Sequence, residues 1–268
     1  MSVLFWGYVF AVFVILSIFQ AIAFSSGFYL VLNPFKSICF CTIINYPMNY
    51  LFQHSFQQRM AAAGISLHLW QLTESVADLA AVLPESLTTL PPFVHFKNDR
   101  RKREWLATRV LLQQVMGPTV RIDYAANGKP FLVPRNAEIS ISHTDGWVAL
   151  ATSLAPIGLD IEVIGDRAYK VRNYYLQDEE VAILPTTAAD RLSTFLWSAK
   201  ESVYKLVNRT GLELKSDIRL EVVLDEGSDI VLNAMVKGEE MPIAVSGCIY
   251  QDFVLTIAYN TKLRENGE

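Results

Sequence analysis

The stretch Ile157-Gly158-Leu159-Asp160-Ile161-Glu162 constrains this chain more than any other, because it sets two carboxylates one residue apart on an otherwise apolar strand. Side chains alternate across a strand, so Asp160 and Glu162 share one face while Leu159, Ile161 and Val163 share the other. Two like charges side by side repel unless a cation lies between them or one holds a proton. A solvated strand end would tolerate the same pair. Hard oxygen ligands of this type also suit a magnesium ion that carries substrate phosphates.

A second stretch, Trp197-Ser198-Ala199-Lys200-Glu201-Ser202-Val203-Tyr204-Lys205, has a helical pattern. Trp197, Glu201 and Lys205 are four apart and stack on one helix face. An ordinary Glu-to-Lys pair at this spacing is worth only a few tenths of a kcal/mol. If the helix crosses the strand, Glu201 becomes a third oxygen ligand, and Lys205 stands one turn on, ready for a phosphate.

The two stretches together, G-x-D-x-E followed by W-[ST]-x-K-E-[SA]-x-x-K, resemble the 4′-phosphopantetheinyl transferase superfamily in its longer, Sfp-like branch. The resemblance runs from about residue 66 to about residue 260. It implies an α+β fold of two similar lobes related by a pseudo-twofold axis, with coenzyme A in the cleft between them. It also implies Mg²⁺-dependent transfer of the phosphopantetheine arm of coenzyme A to a serine of an apo acyl or peptidyl carrier protein, releasing 3′,5′-ADP.

Carried over residue by residue, Asp160, Glu162 and Glu201 would hold Mg²⁺, and Glu201 would double as general base or serve only as ligand. Lys205, together with Lys200, would neutralise the pyrophosphate. Arg103, by its place before Glu104-Trp105-Leu106-Ala107, matches the arginine that holds the 3′-phosphate, with Arg100 as the competing register. Gly128-Lys129-Pro130 resembles the segment lining the nucleotide. Ser142 and His143 match an N-x-S-H element in which Ser140 stands where Asn is common. A single chain that supplies both lobes implies a monomer. The identity of the carrier stays open.

Charge bears on partners. The chain has 23 Lys+Arg and 27 Asp+Glu, a net −4. That balance speaks against a nucleic-acid binder. The dense basic run Lys97–Arg103 reads as a solvated helix face, part of which suits phosphate. The three cysteines are Cys39, Cys41 and Cys248. They give no disulfide framework, which fits a reducing compartment such as the cytoplasm.

Residues 1–59 stand apart, with no acidic side chain before Glu74 and only Lys36 and Arg59 as charges. Val3 to Phe24 is nearly continuous apolar sequence, and about 20 such residues span a bilayer core. Two readings of this leader follow: a membrane anchor that keeps the body in the cytoplasm, or upstream sequence before a start at Met60. The body then divides into a lobe over 60–156, a lobe over 157–262 and a polar tail over 263–268.

Within the body, alternation predicts a strand over Ile65–Trp70, with His68 on its solvent face. A short helix is expected over Glu74–Leu83 and a single long one over Phe93–Met116, closed by Gly117-Pro118. Strands follow at Val120–Tyr124, Ile139–Thr144 and Trp147–Ser153, with a turn at Asn127-Gly128. A short helix starts near Gln177, and the motif helix covers Ala189–Asn208. Four strands close the body: Ile218–Leu224, Ile230–Val236, Ile243–Tyr250 and Phe253–Tyr259. A long Trp-bearing helix followed by strands thus occurs twice, at Trp105 and at Trp197.

Overall fold

A computed structural model describes residues 54–187, 189–225 and 229–261. The apolar stretch Val3–Phe24 and the tail 263–268 lie outside the described residues. Among the described residues no helix is long and apolar enough to cross a membrane.

The first lobe opens with α1 (His54–Ala62) and β1 (Ser66–Gln71), followed by α2 (Val76–Ala81), α3 (Glu85–Thr88) and α4 (Pro91–His95). Ser75 starts α2 through a reciprocal capping box with Asp78, which is why the helix begins later than the apolar pattern suggests. The long helix α5 covers Asp99–Met116.

The expectation of one unbroken helix over Phe93–Met116 is corrected here. Phe96 is extended, and the Asn98 side chain accepts the Arg101 N–H at 2.9 Å, capping α5 afresh. An Asn oxygen competes for backbone donors, so it favours a helix start over a helix interior.

Next come β2 (Arg121–Tyr124), β3 (Pro130–Val133), β4 (Glu138–Thr144) and β5 (Trp147–Ser153). Strands β1, β5 and β4 form an antiparallel sheet in the order β1-β5-β4, and β2 and β3 form a separate hairpin. Gly128, at φ 84°, makes the turn of that hairpin, and the Asn127 side chain accepts the Lys129 N–H at 3.2 Å. Trp105, Leu106, Leu111 and Leu112 of α5 pack with Leu132, Val148 and Leu150 to form the core of this lobe.

The second lobe starts at β6 (Ile157–Val163), continues through α6 (Asp166–Lys170), α7 (Arg172–Tyr175) and α8 (Asp178–Ala182), and reaches the long helix α9 (Ala189–Val207). Strands β7 (Ile218–Asp225), β8 (Asp229–Val236), β9 (Ile243–Ile249) and β10 (Phe253–Tyr259) complete it. The sheet order is β6-β10-β9-β8-β7, antiparallel throughout. Phe195, Leu196, Ala199 and Val203 of α9 bury against Ile218, Leu232, Val245 and Val254 of this sheet. Each lobe therefore lays one long helix on an antiparallel sheet. The lobes differ in detail: the first breaks its strands into three plus a hairpin, while the second keeps five together.

A third core fills the space between the sheets. Leu67 and Leu69 meet Leu159, Ile161, Leu255 and Ile257 there, joined by Phe56 and Met60 of α1. Helix α1 thus straddles the expected boundary at residue 60 and packs into the body. Arg59 forms an ion pair with Asp229, and the Ser55 hydroxyl donates to the same carboxylate.

Asp229 is fully buried, so losing its cation should hurt. Arg59→Ala is expected to cost about 2–3 kcal/mol, below the roughly 3–5 of a fully enclosed pair because water reaches part of Arg59. Urea denaturation checks this. A loss under about 1 kcal/mol, within the range of ordinary surface changes, would show the pair to be dispensable.

Candidate active site

The two lobes touch where β4 runs beside β6. No backbone ladder joins these strands; hydroxyls do. The Leu159 N–H donates to Ser140 Oγ at 2.8 Å, Ser142 Oγ donates to Asp160 Oδ1 at 2.9 Å, and the Val163 N–H donates to Thr144 Oγ1 at 3.2 Å. Alternate residues of β4 face the partner strand, so the period of two puts all three hydroxyls on this seam.

Helix α9 crosses the same strand on the face that carries Gly158, Asp160 and Glu162. At Gly158 the main chains meet: an added Cβ would overlap the Ser202 carbonyl oxygen and lie 2.8 Å from the Leu206 nitrogen. Only glycine permits this approach, which brings the helix face of Trp197, Glu201 and Lys205 onto the acidic strand. Lys205 Nζ donates to Asp160 Oδ1 at 2.7 Å, to the Leu159 carbonyl at 3.0 Å and to Ser142 Oγ at 3.1 Å. Trp197 Nε1 donates to Glu162 Oε1 at 3.2 Å, its ring held edge-on to Tyr175. The position of Trp197 one turn before Glu201 signals the shared face. Its bond to Glu162 becomes visible only with the strand in place.

The three carboxylates feel one another. Burial pushes Glu162 above the usual carboxylate range, and the charge of Asp160 adds to that push. Glu201 is raised by burial and then by Asp160. Lys205 opposes both shifts. Asp160 is buried, and its Oδ2 has no hydrogen-bond partner. Among the described residues no three His, Cys, Asp or Glu side chains are drawn together closely enough to ligate one ion as they stand. The donor set is nevertheless all oxygen, and a buried, unpartnered Asp160 oxygen beside two acids raised by its charge is the chemistry a hard divalent cation suits.

A cleft of about 510 Å³ opens beside this crossing. Gly128, Lys129 and Pro130 line one wall, His143 and Lys205 another, and Arg101, Glu104, Trp105 and Arg109 of α5 a third. The Arg109 guanidinium stacks 3.3 Å from the Trp105 ring centre, and burial pushes its pKa down. Glu104 is buried and gathers Arg100 at 2.8 Å, Arg101 at 3.3 Å and His143 at 3.4 Å. Burial lowers the His143 pKa, and the Glu104 charge pulls it back up.

Most of the residues singled out from the sequence therefore gather at one place, with three exceptions. Within the basic run at the start of α5, the arginine lining the cleft is Arg101, neither Arg103 nor Arg100. Arg100 spends its Nε on Glu104. Ser142 is not among the cleft-lining residues, since its hydroxyl is committed to Asp160 and Lys205.

Lys200 is the clearest correction. It is fully buried and turned away from the cleft, donating to Glu180 Oε2 at 2.7 Å and to the Ile218 and Leu214 carbonyls at 2.8 and 3.0 Å. Residues adjacent on a helix point about 100° apart, so Lys200 cannot share the direction of Glu201. It faces the core with Leu196 and Val203.

Known proteins are similar to this chain over the stretch that holds the acidic strand and the motif helix. The family model described as the 4′-phosphopantetheinyl transferase superfamily matches residues 156–258. The 4′-phosphopantetheinyl transferase gsp of Aneurinibacillus migulanus is 34% identical over 111 residues, 40% of this chain and 46% of its own length. The chain thus spans about half of that relative. The 4′-phosphopantetheinyl transferase AcpT of Salmonella typhi is 31% identical over 133 residues, covering 47% of this chain and 67% of AcpT. The 4′-phosphopantetheinyl transferase HetI of Nostoc is 26% identical over 161 residues, covering 52% of this chain and 67% of HetI. With its acidic strand keyed to the Trp-Lys-Glu helix beside a basic cleft, the chain belongs to the 4′-phosphopantetheinyl transferase superfamily.

Proposed function

We propose that this chain transfers the 4′-phosphopantetheine arm of coenzyme A to a serine of an apo carrier protein, in the cytoplasm and with Mg²⁺ as cofactor. One observation carries the reading. Asp160, Glu162, Glu201 and Lys205 converge where α9 crosses β6, at the edge of a cleft lined by Arg101, Arg109, Lys129 and His143.

The serine oxygen attacks the phosphorus that bears the pantetheine arm. A new Ser O–P bond forms, the bridging P–O bond of the pyrophosphate breaks, and 3′,5′-ADP leaves with the bond pair. Asp160, Glu162 and Glu201 would hold Mg²⁺, which when bound supplies positive charge against the pyrophosphate oxygens.

Glu201 takes the serine proton, directly or through water. Trp197 fixes the Glu162 carboxylate, so that oxygen does not have to be ordered during the reaction. Arg101, Lys129 and His143 hold the nucleotide end by charge and hydrogen bonding, and the Arg109–Trp105 stack stiffens the wall behind them. Because one chain supplies both walls of the cleft, the working unit is a monomer.

Mass spectrometry of an apo acyl carrier protein incubated with the full chain, coenzyme A and Mg²⁺ tests this. The expected result is a mass gain of one phosphopantetheine group that disappears with a chelator. Unmodified carriers of the fatty-acid, polyketide and peptide-synthetase types, in the presence of folded protein, would overturn it.

A further inference from the structure

Asn208 ends the motif helix in an uncommon conformation. Among the described residues it is the one non-glycine residue with a positive φ, 49°. Left-handed backbone directly after a helix is a glycine position, and asparagine is one of the few other residues that tolerate it. The Asn208 N–H still donates to the Tyr204 carbonyl at 2.9 Å, which fixes the backbone as the end of α9. What asparagine adds to this conformation is a carboxamide. Asn208 is half-buried and lines the cleft, and its carboxamide takes no hydrogen bond among the described residues.

Glu201, Lys205 and Asn208 fall on one helix stripe, at spacings of four and then three. At 1.5 Å per residue, Asn208 lies about 10 Å along the helix from Glu201. The carbonyls that end a helix carry partial negative charge, which opposes a phosphate there. The cations Arg101, Arg109 and Lys129 stand on α5 and on the β2–β3 hairpin instead. The ligand surface that meets Asn208 is therefore neutral. A carboxamide offers two N–H donors and one carbonyl acceptor. That pattern pairs with the N6/N7 edge of adenine and equally with a secondary amide. Coenzyme A carries both, the base on one side of its pyrophosphate and the amides of the arm on the other.

We infer that Asn208 contacts the ligand and reads a neutral, amide-like hydrogen-bonding edge of coenzyme A. This rests on the reading of the chain as a phosphopantetheinyl transferase. Such a contact is equally strong in ground state and transition state, so it sets affinity and leaves the rate of the chemical step alone.

The test is Asn208→Gly in the full chain, which removes the carboxamide and suits the backbone at least as well. The ligand-free variant should melt within about 2 °C of the wild type. Coenzyme A and 3′,5′-ADP, which keeps the base and lacks the arm, are titrated into both proteins by calorimetry. Loss of one or two neutral hydrogen bonds should weaken coenzyme A binding roughly three- to tenfold. The KM for coenzyme A should rise by the same factor with kcat unchanged. An equal loss for 3′,5′-ADP identifies the base as the edge that is read; unchanged 3′,5′-ADP binding identifies the arm.

Equal affinity of the two proteins for coenzyme A would overturn the inference. So would a melting temperature lowered beyond that range, since the side chain would then serve the end of α9 and not the ligand. A wild type that binds neither compound overturns the transferase reading itself, which is a different failure.

Discussion

Asp160→Asn is expected to lower the rate of carrier modification by a factor on the order of 10³ or more. Asn keeps the shape and burial of Asp160 but removes the charge that faces Lys205 and raises Glu162 and Glu201. Stabilisation of phosphoryl charge by a bound metal is worth several kcal/mol, and each 1.4 kcal/mol or so is a factor of ten. Folding should survive, because Lys205 keeps two acceptors, the Leu159 carbonyl and Ser142 Oγ, and remains partly open to water. Single-turnover kinetics with a carrier protein and coenzyme A measure the rate, and circular dichroism checks the fold. A folded variant within tenfold of wild-type rate would remove Asp160 from the chemistry.

Replacing Lys200 should produce the opposite phenotype, a loss of stability. Lys200 and Glu180 form a buried ion pair in which both partners are fully used. Glu180 also accepts the Leu220 N–H at 2.8 Å and the Gln177 N–H at 2.7 Å. The pair ties α8 and α9 to the loop before β7. Burial lowers the Lys200 pKa, and contact with Glu180 opposes that shift. Lys200→Met leaves a buried carboxylate without its cation and should cost about 3–5 kcal/mol. For a domain of this size that is roughly 10 °C in melting temperature. Adding Glu180→Gln, which removes the charge and keeps an acceptor for one of the two N–H groups, should restore about half of the loss. Urea denaturation of the three proteins measures both numbers. A single variant as stable as the wild type would show that the pair contributes nothing.

These two lysine-bearing contacts show where the sequence was readable. Alternation in Ile157–Glu162 and the four-residue spacing of Trp197, Glu201 and Lys205 identify both halves of the site without coordinates, since period two and period 3.6 are properties of the local chain. The four closing strands are equally legible, their apolar runs set off by turn residues. Lys200 is misread when its neighbour Glu201 is followed instead of its own period. With Leu196, Ala199, Val203 and Leu206 it falls on the buried face, and that signal is present in the sequence.

Other features needed tertiary structure. The fresh start of α5 at Asn98 depends on one side-chain hydrogen bond outweighing a continuous helical pattern. Strand β3 is four residues long and starts at a proline, so no periodicity marks it. The role of α1 rests on Asp229, far along the chain, which local pattern cannot pair with Arg59. The choice of Arg101 over its neighbours is set by the rotation of α5 against the cleft, and a run of cations does not encode that rotation.

The crossing at Gly158 has one more consequence. With backbone resting on backbone, no cushion of side chains separates strand from helix. Their spacing is therefore a hard stop: sequence drift in the surrounding cores is free to tilt or twist α9 but not to bring it closer. The gap across which Asp160 and Glu201 face each other is in effect a gauge block machined into the main chain. Attempts to retune this centre for a larger cation or a longer phosphate chain should leave that gauge alone and work on the cleft walls, at Lys129, His143 and the amino-terminal turns of α5.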